Sequence, residues 1–178
     1  PCLRVYYDEE LEVGYRRYDS RNIEPAYAFG HGRSYTSFVY GNLTVSRTSC
    51  TFDVRNTGAT KGAEVAQLYV VPPSTSGYQQ LKGFHRTAVL APGRVERVTL
   101  RFDARTFSAF LDGAWRRVPG AHELRVGASS RDQTKPPRRP AIVRARRRPL
   151  ADVPNVPPPR SSVFVARGLL RATGTHEA

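Results

Sequence analysis

Between residues 41 and 130 the sequence alternates apolar and polar residues in short runs, each cut off by turn residues. Cys50-Thr51-Phe52-Asp53-Val54-Arg55 has the period of a strand with one buried face, and Asn56-Thr57-Gly58 breaks it. Ala63 to Val71 reads as a second strand, ended by Pro72-Pro73, which have no N–H to give a ladder. Gln80 to Arg86 is a third, with Gly83 at a bulge. Ala91-Pro92-Gly93 turns into a strand with Val98, Leu100 and Phe102 on one face. Phe107, Ala109 and Leu111 continue the pattern, Asp112-Gly113 turns into Trp115 to Val118, and Pro119-Gly120 turns into Glu123 to Ala128. About seven short strands with no helical period between them exclude a parallel α/β architecture and predict an all-β, antiparallel β-sandwich. The inward set is expected to be Leu43, Val45, Cys50, Phe52, Val54, Leu68, Val70, Phe84, Leu90, Val98, Leu100, Phe102, Phe107, Leu111, Leu124 and Val126.

The rest of the chain differs in character. Residues 1–19 are dense in Tyr and acid, and 20–40 form a Gly- and aromatic-rich connector. Residues 133–178 carry 10 of the 28 basic residues and 8 of the 14 prolines. Such a segment disfavours a packed core and is expected to be a disordered tail. The net charge of +13 therefore belongs mainly to this tail. Its run Arg146-Arg147-Arg148 lacks interleaved aromatics and any base-reading motif, so no specific nucleic acid is expected as a partner. At 178 residues the chain is too short for a complete (β/α)₈ barrel, which takes about 250. No apolar run approaches the roughly 20 residues of a membrane helix, and no membrane partner is expected. A chain beginning Pro1-Cys2-Leu3-Arg4 and holding no Met reads as a piece of a longer one.

Candidate chemistry is sparse. Cys50 falls on the inward face and reads as a buried free thiol. No Cys or His spacing matches a metal-ligand set, and no cofactor is assigned. The cluster Asp8, Glu9, Glu10 and Glu12 invites a catalytic pair, but a solvated acidic turn is the better reading. Glu9 is expected to pair with Arg16 or Arg17. His31, between Gly30 and Gly32, reads as part of a tight connector whose ring bonds neighbouring backbone. Tyr69, Trp115 and above all Tyr78, in the loop Ser74-Thr75-Ser76-Gly77-Tyr78, are candidates for an exposed sugar-stacking platform.

Two motifs ahead of the strands carry a resemblance. Tyr7-Asp8-Glu9-Glu10-Leu11-Glu12-Val13-Gly14-Tyr15-Arg16-Arg17-Tyr18-Asp19 resembles the Y-x-E-G-L-x-V-G-Y-R-x-Y-D stretch of family 3 glycoside hydrolases, the β-glucosidases and their relatives. Glu24 to Phe38, with Phe29-Gly30-His31-Gly32 at its centre, is similar to their E-P-L-F-P-F-G-H-G-L-S-Y-T-x-F. Asn56-Thr57-Gly58, Gly62 to Val70, Leu81 to Phe84, Leu90 to Gly93 and Val126 to Asp132 are similar to the fibronectin type III-like C-terminal domain of that family. Glu10 replaces a usual Gly and Arg33 a usual apolar residue, and the resemblance stops at Asp132.

The resemblance implies the end of an α/β domain at 1–19, a connector at 20–40 and, at 41–132, a fibronectin type III-like domain, which makes the expected sandwich one of the immunoglobulin/fibronectin type III-like kind. Glu9, Gly14, Tyr15, Arg16, Gly30, His31 and Gly32 would be structural motif residues. It also implies a parent enzyme that hydrolyses O-glycosyl bonds, with the parent's catalytic domains and its carbohydrate substrate as partners. In the family the nucleophilic Asp lies on an N-terminal barrel and the acid/base Glu in the following α/β domain. Neither matches a position here, so no catalytic residue is assigned. The alternative is a stand-alone, non-catalytic module that binds carbohydrate or protein. Residues 1–19 are expected to lack a surface to cover, leaving Val5, Tyr7, Leu11, Val13 and Tyr15 as an apolar patch.

Overall fold

The computed structural model describes residues 6, 8–73, 78–111 and 113–132, and the backbone of 141–145. One short helix, α1 (Tyr15–Ser20), is followed by β1 (Phe38–Val45), β2 (Ser49–Asn56), β3 (Val65–Val71), β4 (Gln80–Arg86), β5 (Val95–Arg101), β6 (Ser108–Leu111), β7 (Ala114–Arg117), β8 (Gly120–Gly127) and β9 (Ala141–Ala145). They pair antiparallel into three sheets, ordered β1-β2-β5, β4-β3-β8-β9 and β6-β7.

The alternation in β2 does what its sequence dictates. Cys50, Phe52 and Val54 turn inward and are shut off from water, while Thr51, Asp53 and Arg55 face outward. Val98 on β5 joins them, and from the four-stranded sheet come Ala66, Leu68, Val70, Leu124 and Val126. Phe107 completes the core, with Phe38, Tyr40, Leu43, Val45, Leu100 and Phe102 packed at its margin. Each large side chain so buried contributes about 1.5–3 kcal/mol. Asn56 ends β2 as a buried polar hub. Its amide donates to the carbonyls of Thr60 and Leu90, both at 2.8 Å, and its carbonyl accepts from the Thr36 hydroxyl at 2.6 Å and the Gly58 N–H at 3.0 Å.

Two expected inward residues point out. Phe84 is 69% exposed and Leu111 is 50% exposed. In β4 the pairing runs from Leu68↔Gly83 to Tyr69↔Leu81, so Lys82 is an extra residue with no partner across the strand. A bulge reverses which face follows it, and this one sends Phe84 outward. Leu111 lies at the tip of the two-stranded β6–β7 hairpin, where it stays half open to water.

The segment 133–178 also departs from expectation. Ala141-Ile142-Val143-Arg144-Ala145 forms β9 and satisfies the open edge of β8, from Leu124↔Ala141 to Gly120↔Ala145. The remaining expectations for that segment lie outside the described residues.

The N-terminal segment does find a surface. β3 is buried from Ala66 through Val70 on both faces. Gln67 and Tyr69 point away from the core, yet Tyr15, Phe29 and Gly30 cover them. The expected patch is therefore only partly real: Tyr15 is spent on the sheet, while Leu11 and Val13 stay 71% and 55% exposed. Val5 and Tyr7 lie outside the described residues. Glu10, where the resemblance expects Gly, has φ 50°, the left-handed region that disfavours L side chains.

Candidate functional site

The region that the chain organises most elaborately is the seam between the N-terminal segment and the outer face of the four-stranded sheet. Gly14 starts α1 with φ 58°, a turn that aims the next residue at the sheet. Tyr15 stacks on Phe29 with ring centroids 4.9 Å apart and meets Tyr69 edge-on at 5.9 Å. Its hydroxyl oxygen accepts from the Leu81 backbone N–H at 2.9 Å. The Tyr69 hydroxyl in turn donates to the Gln67 side-chain carbonyl at 2.6 Å, and the Gln67 amide donates to the Ala128 carbonyl at 2.6 Å and the Gly30 carbonyl at 3.4 Å. Gly30 must be glycine twice over: its φ is 82°, and a Cβ there would lie 2.4 Å from the Gln67 side chain.

Arg131, just past β8, closes the seam. Its guanidinium donates to Asp19 at 3.0 Å, to Glu24 at 2.9 Å and to the carbonyls of Ile23 at 2.9 Å and Tyr18 at 3.4 Å. Asp19 also accepts from Gln79 at 2.9 Å, and the Ser130 N–H donates to the Phe29 carbonyl at 2.9 Å. A planar fork of five donors suits such a fan of acceptors. Sequence reasoning passed over Arg131, Asp19, Gln67 and Gln79. The available signal was Gln67, a polar residue inside the apolar run Ala66-Gln67-Leu68-Tyr69-Val70.

Within the acidic cluster, Glu9 and Glu12 are individually engaged. Arg17 donates to Glu9 at 3.0 Å, one of the two expected pairings, in an exposed bridge. Glu12 accepts from the Tyr78 hydroxyl and from Arg21 at 3.2 Å. The Tyr78 bond first and Arg21 second hold the Glu12 carboxyl below its ordinary value, the wrong direction for a general acid. Glu64 moves the other way because it is desolvated, with the Tyr40 hydroxyl donating to it at 3.1 Å.

Other expected site residues fall apart from one another. The His31 ring stacks on Tyr27 at 5.4 Å, and its backbone N–H donates to the Ala28 carbonyl; among the described residues its ring makes that stack rather than the expected bond to backbone. Gly32 is exposed with open space around it. None of the three aromatic candidates is a free platform. Tyr69 is fully buried, Tyr78 is half-buried against Glu12, and Trp115 lies half-buried with the Arg105 guanidinium 5.0 Å above its ring. Cys50 is a buried free thiol, and desolvation pushes it up to about 11.

Arg16 turns the opposite way from Tyr15, into a cleft of about 290 Å³ that it shares with Lys82, His122 and Phe107. Among the described residues no group of His, Cys, Asp or Glu could hold a metal, and no helix is long and apolar enough to cross a membrane.

Comparison with known proteins fits this architecture. The model of the fibronectin type III-like domain matches residues 64–130. Probable beta-glucosidase K of Emericella nidulans is 39% identical over 137 residues, which is 72% of this chain and 16% of the relative. Thermostable beta-glucosidase B of Acetivibrio thermocellus is 37% identical over 142 residues, 72% of this chain and 19% of the relative. Among solved structures, beta-glucosidase 3B of Thermotoga neapolitana in complex with glucose superposes with a TM-score of 0.70 at 38% identity, over 78% of this chain and 20% of that one. The chain thus spans about a fifth of the length of the relatives it matches.

Proposed function

We propose that this chain, homologous to the C-terminal region of family 3 β-glucosidases with its fibronectin type III-like domain, serves as the non-catalytic C-terminal module of an enzyme that hydrolyses β-glucosides. In this reading residues 41–132 are a fibronectin type III-like β-sandwich, supported by two sheets that contribute to one core. Residues 1–19 end an α/β domain. The module braces the catalytic domains, which supply both carboxylates and the sugar site, and its structural motif residues are Glu9, Gly14, Tyr15, Arg16, Gly30, His31 and Gly32.

The observation that carries the reading is the seam. Arg131 and Tyr15 fix the segment leading toward the catalytic domains against the sheet, so a position taken up by one is passed rigidly to the other. Glu9, Glu12, Asp19 and Glu24 support it from the negative side, since they are spent on Arg17, Arg21, Arg131 and Tyr78. A retaining glycosidase instead needs two carboxyls about 5–5.5 Å apart, one of them free to be protonated.

The test is a chimera in which this chain replaces the matching fifth of the Thermotoga neapolitana enzyme. The chimera is expected to turn over an aryl β-glucoside, and the chain alone to give none above background. Turnover by the pure chain, abolished by Glu9→Gln, would overturn the reading.

A further inference from the structure

We propose that the apolar mouth of the cleft between the N-terminal segment and the β6–β7 hairpin, bounded by Leu11 and Leu111, is the surface on which the upstream part of the parent enzyme seats. This surface deepens the bracing role proposed above, on which it rests. The seam joins the N-terminal segment to the sheet but leaves Leu11 and Val13 bare.

Two elements far apart in sequence bring large apolar side chains to one opening. Leu11, in the turn ahead of α1, is 71% exposed, and Leu111, at the hairpin tip, is 50% exposed, yet both line the same cleft. Ala109 and Val118 continue the apolar lining, and Phe107 lies deeper, with only 4% exposed. Water is a poor neighbour for such a rim, and an apolar patch assembled from two separate elements marks a surface that meets a partner.

The occupant follows from where the rest of such an enzyme attaches. This chain spans 16% to 20% of the relatives it matches and corresponds to their C-terminal region. Their remaining length therefore enters through the N-terminal segment, and Leu11 sits on that path. A body tethered so close to the cleft is present at an effective concentration of about millimolar, so a small apolar contact is enough to seat it. The competing occupant is the tail. β9 ends at Ala145 opposite Gly120, which lies against Pro73, and the neighbouring Pro72, Val118 and His122 line the cleft. A tail folding back from there would bring Arg146, Arg147 and Arg148 up to Arg16 and Lys82, and like charges oppose that approach.

The test reads amide exchange and turnover of an aryl β-glucoside on one sample, the chimera with the Thermotoga neapolitana enzyme. Relative to the full chain alone, amides of 8–14 and 108–111 are expected to exchange about tenfold more slowly in the chimera, and those of β5 to be unchanged. Leu111→Asp is expected to speed exchange of 8–14 several-fold in the chimera and to leave it unchanged in the free chain. Should that variant fail to fold, Leu11→Ser, on the other wall, is expected to release 108–111 in the same way. If 8–14 slows and 108–111 does not, the upstream part seats elsewhere and the proposal fails. A chimera that slows both segments without turnover overturns the bracing reading alone, one that turns over without slowing them overturns this surface alone, and one that does neither overturns both. Slowing of both segments in the free chain as its concentration rises would make a second copy the occupant. Faster exchange there after truncation at Ala145 would make it the tail, and either result overturns the proposal.

Discussion

Between Ser49 and Asn56 every second side chain is shut off from water, whereas between Tyr15 and Ser20 not one is buried. β2 is held by transfer of apolar surface out of solvent, which has no preferred direction and tolerates small adjustments. The N-terminal segment is held by a few directed bonds: Arg131 to Asp19, Glu24 and two carbonyls, Leu81 to Tyr15, and Gln79 to Asp19. One region fails gradually as packing is eroded. The other should let go when a single donor is removed, while the sheets stay folded.

The largest effect is expected in the core. Phe52→Ala, at a position 1% exposed, should cost about 3–5 kcal/mol of global stability, measured by denaturant unfolding. A loss below about 1 kcal/mol would mean that the two sheets do not share the load. At the seam, Gly30→Ala should cost about 1–3 kcal/mol, because it meets both an unfavourable φ and the Gln67 side chain. Arg131→Ala should leave the unfolding midpoint of the sheets nearly unchanged. It should raise amide exchange over 15–24 by about tenfold, equivalent to roughly 1–2 kcal/mol of local opening. If 15–24 and β2 lose protection together, the two regions are one cooperative unit and the contrast is wrong.

Relief of strain is a smaller change. Glu10→Gly, at φ 50°, should stabilise the turn by about 0.5–1 kcal/mol, seen as slower exchange in 8–14 only.

Acid should separate the regions by pH rather than by size. His122 is depressed below 6.5, chiefly by burial, so its contribution to the four-stranded sheet is present above 6.5 and is lost as pH falls through the lower folded value. Glu12 is depressed below 4.5, first by Tyr78 and then by Arg21, so its contribution survives until pH falls below 4.5. Exchange measured from pH 7 down to 3 should therefore loosen the surroundings of His122 before those of Glu12. The reverse order would contradict both assignments.

Much of the fold was legible because period-2 alternation is a local property. Cys50, Phe52, Val54, Leu68, Val70, Val98, Leu124 and Val126 all bury as the pattern requires. The pattern fails where a local rule is overridden. Lys82 adds a residue to β4 and turns Phe84 outward, and β9 hides its Ala-Ile-Val run among prolines and arginines. Tyr69 reads as exposed on its own strand and is buried only because a segment more than fifty residues earlier covers it. The site was less legible for the same reason. Tyr15 and Gly30 stood out within motifs, but Asp19 and Arg131 lie 112 positions apart, and no spacing links them.

That separation has a consequence during synthesis. Closing a loop of that length costs about 4 kcal/mol of chain entropy, and the ribosome adds a delay to the cost. Asp19 leaves the exit tunnel 112 residues ahead of the arginine that will hold it. At about 5–20 residues per second the interval is about 6–22 s. Through all of it Tyr15 has no finished sheet to lie on, so the newborn segment is a natural client for a chaperone until residue 131 emerges and ties it down.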